Sequence, residues 1–238
     1  MRFNFFAIGS GFIFQTAFLS VRGRELGRCP ITNLFEVFIF VAWSVALIYM
    51  LVGPAYRLSL MGAFTAPLVL LLQGFALITP IDARYPVNVP ANSWLEFHAS
   101  ISLVAYGAFA LACIAGVMYL LQERQLKAKR PGRVYYRLPS LETLDRFTFR
   151  TLTLGFPFLT AGLLLGVLWA NAAWGSVFAF DPMALLSVAM WVVYAATLSG
   201  RALGAWRGRR AAYFAIAGFC TLLLTLGVGV LIQGRHGL

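Results

Sequence analysis

Charged residues are scarce in this sequence, and the groupings that usually carry enzyme chemistry are scarcer still. Only 11% of its 238 residues are charged, whereas 61% are hydrophobic, and the mean hydropathy is +0.81. A soluble domain contains about a quarter charged residues, so this composition excludes an ordinary soluble enzyme and indicates a membrane protein. The sequence contains no HExxH helix, phosphate-binding loop, glycine-rich dinucleotide turn or Ser/His/Asp set, and we identify no catalytic residue in it.

Cysteine is also rare. The three cysteines, Cys29, Cys113 and Cys220, form no CxxC pair, which argues against thiol–disulfide exchange and against a metal site built from cysteine alone. The net charge of +11 could suggest a nucleic-acid partner, but the basic residues fall between apolar runs and form no face with interleaved aromatics. We therefore expect membrane lipid, and no nucleic acid, around this chain.

Long apolar runs are what the sequence does contain. A helix needs ~20 apolar residues to cross a hydrocarbon core of ~30 Å. Seven runs meet this length, at about 3–21, 34–53, 59–79, 94–121, 151–170, 183–203 and 211–232. No internal repeat divides the chain. The sequence thus predicts an all-α polytopic membrane bundle of about seven helices, forming a single domain over residues 1–238.

The basic residues predict the orientation of these helices, because Lys and Arg accumulate in cytoplasmic segments. With the N-terminus inside, 14 basic residues fall inside and 5 fall outside, namely Arg22, Arg24, Arg28, Arg84 and Arg235. The segment RGRELGR at 22–28, interpreted as an outer loop, runs against this trend. In the resulting topology the start of helix four, the connection between helices five and six, and the C-terminus all lie outside.

The only two histidines, His98 and His236, fall on that outer side. Ser93 and Glu96 match a capping box at the start of helix four, which places His98 and Ser102 on one helix face. Neutral imidazole is a ligand of haem iron, and two imidazoles hold the iron six-coordinate. Two interpretations stay open: a pair of haem ligands, or a solvated interfacial histidine and a histidine in a frayed tail.

An aromatic segment, LWANAAWGSVFAFDP, lies between the fifth and sixth apolar runs. Its aromatic side chains, such as Trp174 and Phe178, could pack against the flat face of a porphyrin. They could equally be interfacial aromatics of the kind found at membrane boundaries. Asp181 before Pro182 matches an N-cap followed by proline at the first helical position, which gives Asp181 a structural role beside any chemical one.

Glu36 is a carboxylate about one turn into the second apolar run, where a charge is costly and usually faces protein or water. Thr32 or Asn33 followed by Glu36 is typical of a helix N-terminus. The carboxylate therefore either caps and anchors helix two or has a functional role, and the sequence leaves both interpretations open.

Four segments are informative when taken together: CPITNLFEVFIFVAW at 29–43, NSWLEFHASISLVAYGAFALA at 92–112, LETLDRFTFRTLTLGFPFLTAGLLLGVLWANAAWG at 141–175 and WRGRRAAYFAIAGFCTLLLTLGVGVLIQGRH at 206–236. They resemble the cytochrome c assembly family of membrane proteins, which includes CcsA/ResC, CcmC and HemX-type proteins. The segments occur in the family's order and cover most of the chain. The resemblance implies a haem-handling protein of cytochrome c biogenesis.

In that family, two external histidines flank an aromatic loop and bind haem for delivery to apocytochrome c. Matched by position, the resemblance implies His98 and His236 as axial ligands of the haem iron, above a surface formed by Trp174, Gly175, Phe178, Phe180 and Asp181. It implies haem b as non-covalent cargo. The implied partners are a CcsB/ResB-like membrane subunit and an apocytochrome c with a CxxCH motif. The implied location is the outer face of a bacterial cytoplasmic (inner) membrane.

The chain departs from the family pattern in two places. The family loop usually reads Trp-Gly-aromatic-Trp-x-Trp-Asp-Pro, whereas here Phe178 and Phe180 replace tryptophans and so lack an indole N–H donor. Ser199 stands where the synthase branch of the family has a histidine within the membrane. A second hypothesis is therefore a haem-free or weakly haem-binding assembly factor that stabilises a partner complex. Whether the chain belongs to an enzyme stays open.

Overall fold

The computed structural model describes residues 2–53, 61–81, 93–128, 138–174 and 182–231. Within these residues the protein has seven helices and no strand: α1 Arg2–Leu26, α2 Leu34–Val52, α3 Met61–Ile78, α4 Ser93–Lys127, α5 Leu141–Trp174, α6 Pro182–Ala202 and α7 Arg209–Leu231. Each is long and apolar enough to cross a membrane. The predicted all-α class and the predicted number of spanning helices are confirmed for this part of the chain.

Helices α4 and α5 extend beyond the apolar runs from which they were predicted. α4 continues to Lys127 and α5 begins at Leu141, so several basic residues assigned to the connection lie on helix ends. The Ser140 hydroxyl accepts a backbone hydrogen bond at the start of α5, and Glu142 pairs with Arg146 one turn later. A hydropathy run stops at the first charges, whereas a helix continues where caps and i,i+4 pairs stabilise it.

The segment 22–28 is mostly helix and not a loop, which corrects the sequence interpretation. α1 continues through Arg22 to Leu26. Gly27 follows with φ 65°, the left-handed conformation that commonly ends a helix. The Arg22 guanidinium lies 2.9 Å from the carboxylate of Glu36 in α2. The ion pair with Glu36 compensates the charge of Arg22, one of the basic residues that lie on the predicted outer side against the general trend.

α4 is the central and most buried of the seven described helices, and its most extensive contact is with α5. Glycines allow its close packing. A Cβ on Gly107 would lie 2.5 Å from the carbonyl carbon of Ser44 in α2. A Cβ on Gly155 of α5 would lie 2.8 Å from the Phe109 ring, which stacks on Tyr194 of α6 with centroids 4.0 Å apart. Between helices in lipid, such close packing supplies much of the association energy.

The two ends of the bundle are held by different polar contacts. We call them the Asp145 end, where α5 begins and α6 meets α7, and the His98 end, where α4 begins. At the Asp145 end, Asp145 pairs with Arg201 of α6 and accepts the backbone N–H of Gly208 at 2.7 Å. Gly208 has φ 61°, a conformation that glycine adopts without strain. The α6–α7 connection is therefore fixed to the start of α5.

The orientation of the bundle stays a prediction that topology reporters can check. A reporter inserted near Lys127–Arg130 should read as cytoplasmic, and one fused after Leu238 should read as external, because 14 of the basic residues fall on the first side and 5 on the other. Enzymatic reporters active on only one side of the membrane would measure this. Two reporters on the same side would refute the topology, because His98 and His236 would then lie on opposite sides of the membrane.

Candidate functional site

His98 lies in the second turn of α4 and faces α5. Its Nδ1 is 2.6 Å from the carbonyl oxygen of Gly162. A carbonyl oxygen only accepts hydrogen bonds, so Nδ1 is the donor and carries the ring proton. In the neutral imidazole the lone pair is then on Nε2, the nitrogen that can bind a metal ion. The contact with α5 thus sets both the direction and the tautomer of the ring.

Two glycines of α5 form the surface against which this part of α4 packs. A Cβ on Gly166 would lie 2.7 Å from Cε1 and 2.9 Å from Nδ1 of His98. A Cβ on Gly162, one turn away, would overlap the hydroxyl of Ser102. The Ser102 hydroxyl donates to the backbone carbonyl of His98 at 2.7 Å. The shared face expected for His98 and Ser102 is therefore the face that packs on α5.

Glu36 is completely buried at the start of α2. Its Oε1 accepts a hydrogen bond from Arg22 Nε at 2.9 Å, and its Oε2 accepts the backbone N–H and the hydroxyl of Thr32, both at 2.7 Å. Asn33 is the N-cap, because its Oδ1 accepts the Glu36 N–H at 2.9 Å. Arg22 and Asn33 also donate to the carbonyl of Ile81, at 3.1 and 2.9 Å. The capping interpretation is confirmed, and the ion pair adds a role that the pattern did not predict.

The α1–α2 connection is bonded to the first turns of α4, next to His98. The backbone N–H of Cys29 donates to Glu96 Oε2 at 3.3 Å, and the Cys29 thiol lies 3.3 Å from the Ser100 hydroxyl. Burial raises the pKa of the Cys29 thiol above its ordinary value, and the negative charges of Glu96 and Glu36 raise it further, against the hydrogen bond to Ser100. Cys29 is thus a neutral contact residue, since reactive thiols have lowered pKa values.

The remaining predicted site residues lie mostly outside the described residues. This holds for His236, Gly175, Phe178, Phe180 and Asp181, while Trp174 is the last residue of α5. Among the described residues no group of three or more His, Cys, Asp and Glu side chains could hold a metal ion. His98 and its surroundings are therefore the described part of the candidate site.

Ser199, which stands where the synthase branch of the family has a membrane histidine, is far from His98. Ser199 is an exposed residue near the last turn of α6. Arg201, two residues further on, pairs with Asp145 at the opposite end of the bundle from His98. Ser199 and His98 therefore belong to different ends of the protein.

Sequence reasoning missed the glycines beneath His98 and the partner of Glu36. Small residues four apart in an apolar helix, such as Gly162 and Gly166, are a known signal of close helix packing. That signal was present in the sequence, but the residue that packs on the two glycines depends on how α4 and α5 are paired. Arg22 and Glu36 lie on different helices, and no local pattern connects them.

Comparison with known proteins decides the family. The family model described as Cytochrome C assembly protein matches residues 31–236. The chain belongs to the cytochrome c assembly protein family. Its relatives include the cytochrome c biogenesis protein CcsA of Guillardia theta, 31% identical over 98% of this chain and 86% of the relative. The CcsA proteins of Synechococcus elongatus and Chlorella vulgaris are 33% and 30% identical, over 93% and 96% of this chain and 82% and 83% of the relatives.

Membership of this family confirms the resemblance read from the four sequence segments. A cytochrome c assembly protein with seven described helices of spanning length is a multi-pass membrane protein of cytochrome c biogenesis. The matched region contains His98 and, from the network around Glu36, Thr32, Asn33, Glu36 and Ile81, whereas Arg22 precedes it. The candidate site therefore lies within the part of the chain that the family shares.

Proposed function

We propose that this chain holds haem at the His98 end of the bundle for delivery to apocytochrome c. The observation that carries the proposal is the contact of His98 Nδ1 with a helix carbonyl at 2.6 Å, which in the neutral imidazole leaves the lone pair on Nε2. A neutral imidazole in this state is ready to bind iron without losing a proton. Membership of the cytochrome c assembly family supports haem as the cargo, because c-type cytochromes carry haem at CxxCH motifs.

The second axial ligand in this proposal is His236, as the sequence predicts. The surface beneath the macrocycle is assigned to Trp174, Gly175, Phe178, Phe180 and Asp181. Haem b, as non-covalent cargo, supplies the iron and the flat porphyrin face. Aromatic side chains pack against such a face, and two imidazoles satisfy both axial positions of the iron.

The polar network at the His98 end gives the proposed site a rigid support. Cys29 and Glu96 hold the α1–α2 connection against α4, and the buried Glu36 joins α1 to α2 through Arg22. Arg22 and Asn33 both donate to the carbonyl of Ile81, which connects α1 and the start of α2 to the residues just after α3. A ligand on a supported helix keeps its geometry better than a ligand on a loop, so His98 is suited to present a fixed axial nitrogen.

The proposed partners are a CcsB/ResB-like membrane subunit and an apocytochrome c with a CxxCH motif. The proposed location is the outer face of a bacterial cytoplasmic membrane, and the basic-residue asymmetry supports the outer face. We assign to this chain the binding and orientation of haem, and we assign thioether formation to the complex with its partner.

The proposal is tested by the haem spectrum of the purified protein. The chain, expressed with excess haem and extracted in mild detergent, should show the reduced absorbance bands of low-spin, bis-imidazole haem. Ser199→Ala should leave this spectrum unchanged, because Ser199 is exposed on α6 toward the opposite end of the bundle. A parent protein that carries no haem under these conditions would refute haem holding.

The alternative is a haem-free or weakly haem-binding assembly factor. It is favoured by Ser199, which replaces a membrane histidine of the synthase branch, and by Phe178 and Phe180, which replace tryptophans. On this alternative, deleting the chain lowers the amount of the partner subunit in the membrane, although the purified chain contains no haem. Measuring partner abundance beside the haem spectrum distinguishes the two functions.

A further inference from the structure

α4 and α5 pack antiparallel, and three glycines of α5 are in register with three residues of α4. Gly166 lies under His98, Gly162 under Ser102, and Gly155 under Phe109. At each of these positions an added Cβ would overlap the α4 side chain. Close packing against a glycine therefore occurs both at His98, a candidate ligand, and at Phe109, a residue of the apolar core.

His98 differs from Phe109 because its ring also forms a hydrogen bond with the backbone of α5. The carbonyl of Gly162 lies 2.6 Å from Nδ1, although this carbonyl belongs to a continuous helix. The absence of a side chain at Gly166 lets the ring approach the backbone of α5 this closely, and its absence at Gly162 leaves space for Ser102, one turn along α4. In metal sites, the group that bonds the second nitrogen of a ligating histidine fixes the tautomer and the ring orientation and raises the basicity of the ligating nitrogen.

We propose that Gly162 and Gly166 are positioning residues for His98. The Gly162 carbonyl holds the proton on Nδ1, and the missing side chain of Gly166 leaves space for the ring, so that Nε2 is the nitrogen directed to the haem iron. The inference rests on the proposed haem function for its purpose, but the tautomer it assigns is a property of the haem-free protein. The two can therefore fail separately.

The first test is the tautomer of His98 in the haem-free protein. The chain has only two histidines, so protein labelled with ¹⁵N-histidine gives two ring systems, and His236→Gln assigns the one that belongs to His98. Long-range ¹H–¹⁵N spectra at alkaline pH should show a protonated Nδ1 and an unprotonated Nε2, the minor tautomer of free histidine. A protonated Nε2 on His98 would overturn the inference whether or not the protein binds haem.

The second test compares two glycine variants that each add a Cβ at a similar distance from an aromatic ring of α4. Gly166→Ala places a Cβ 2.7 Å from the His98 ring, and Gly155→Ala places one 2.8 Å from the Phe109 ring, on the same helix and against the same partner. Both should loosen the α4–α5 contact. Only Gly166→Ala should alter the His98 tautomer and lower haem affinity, by about ten- to a hundred-fold as for other changes around a metal-binding histidine.

The outcomes separate a positioning role from general packing. If Gly155→Ala weakens haem binding as much as Gly166→Ala does, the glycines act on packing alone and the inference is wrong. If neither variant nor the parent binds haem, the proposed function fails, while the tautomer of the parent still decides the role of Gly162. If Gly166→Ala does not fold, the tautomer of the parent still tests the contact with the Gly162 carbonyl, because that measurement needs no substitution at the glycines.

Discussion

His98→Ala is expected to abolish the low-spin haem spectrum of the purified protein, while its abundance in the membrane stays close to that of the parent. The substitution removes the proposed axial nitrogen together with the hydrogen bond to Gly162. A single intramolecular hydrogen bond contributes about 1 kcal/mol to stability, so the loss of iron binding should far exceed the loss of folding. Absorbance spectra and immunoblots of the same membranes would measure both effects.

Two controls make this result specific to ligation. Phe97→Ala changes an exposed residue next to His98 and should keep the spectrum. Added imidazole should restore the low-spin bands of His98→Ala by occupying the vacated axial position, which it could not do for a misfolded protein. His236→Ala should behave in the same way. Normal low-spin haem in both histidine variants would end the ligand assignment and favour the assembly factor.

Glu36→Ala should cause the largest loss of stability at the His98 end. The carboxylate is fully buried and bonds Arg22 and Thr32, so its removal takes the buried carboxylate away from the Arg22 guanidinium, while the exposed Glu25 carboxylate stays at 3.8 Å. Breaking a buried ion pair by removing one partner costs about 3–5 kcal/mol. Thermal unfolding in detergent micelles should therefore show a large downward shift of the midpoint.

The matched control is Glu142→Ala, which breaks the exposed ion pair with Arg146 on α5. An exposed i,i+4 pair on a helix contributes about 0.3–0.5 kcal/mol, so this variant should unfold almost like the parent. Replacing both members of the buried pair, with Arg22→Met and Glu36→Leu together, should recover much of the stability lost in Glu36→Ala. Equal midpoints for Glu36→Ala and Glu142→Ala would show that the buried network does not hold this end together.

These two predictions concern connected parts of the protein. The α1–α2 connection that contains Thr32 also contains Cys29, whose backbone bonds Glu96 of α4. Glu96 lies two residues before His98 on the same helix. A weakened Glu36 network should therefore also lower haem retention, but only in proportion to the loss of folded protein. His98→Ala should instead abolish haem binding without a matching loss of folded protein.

The sequence by itself determined the class, the number of spanning helices in the described residues and the resemblance to the family. Apolar runs of spanning length are a local property of the chain, and they located all seven described helices. It also singled out His98, because the chain has only two histidines. Helix ends were less well predicted. The charged residues at the end of α1 and the start of α5 interrupt the apolar runs, although the helices continue through them.

Only the tertiary structure decided what surrounds His98 and Glu36. Gly162 is 64 residues from His98 in the chain, and Ile81 is 59 residues from Arg22. Their contacts depend on the register of neighbouring helices. That register arises from many small packing contacts along each interface, such as Gly155 against Phe109, and not from any pattern within one helix. The nitrogen of His98 that carries the proton is therefore set by α5, a helix whose sequence contains no histidine.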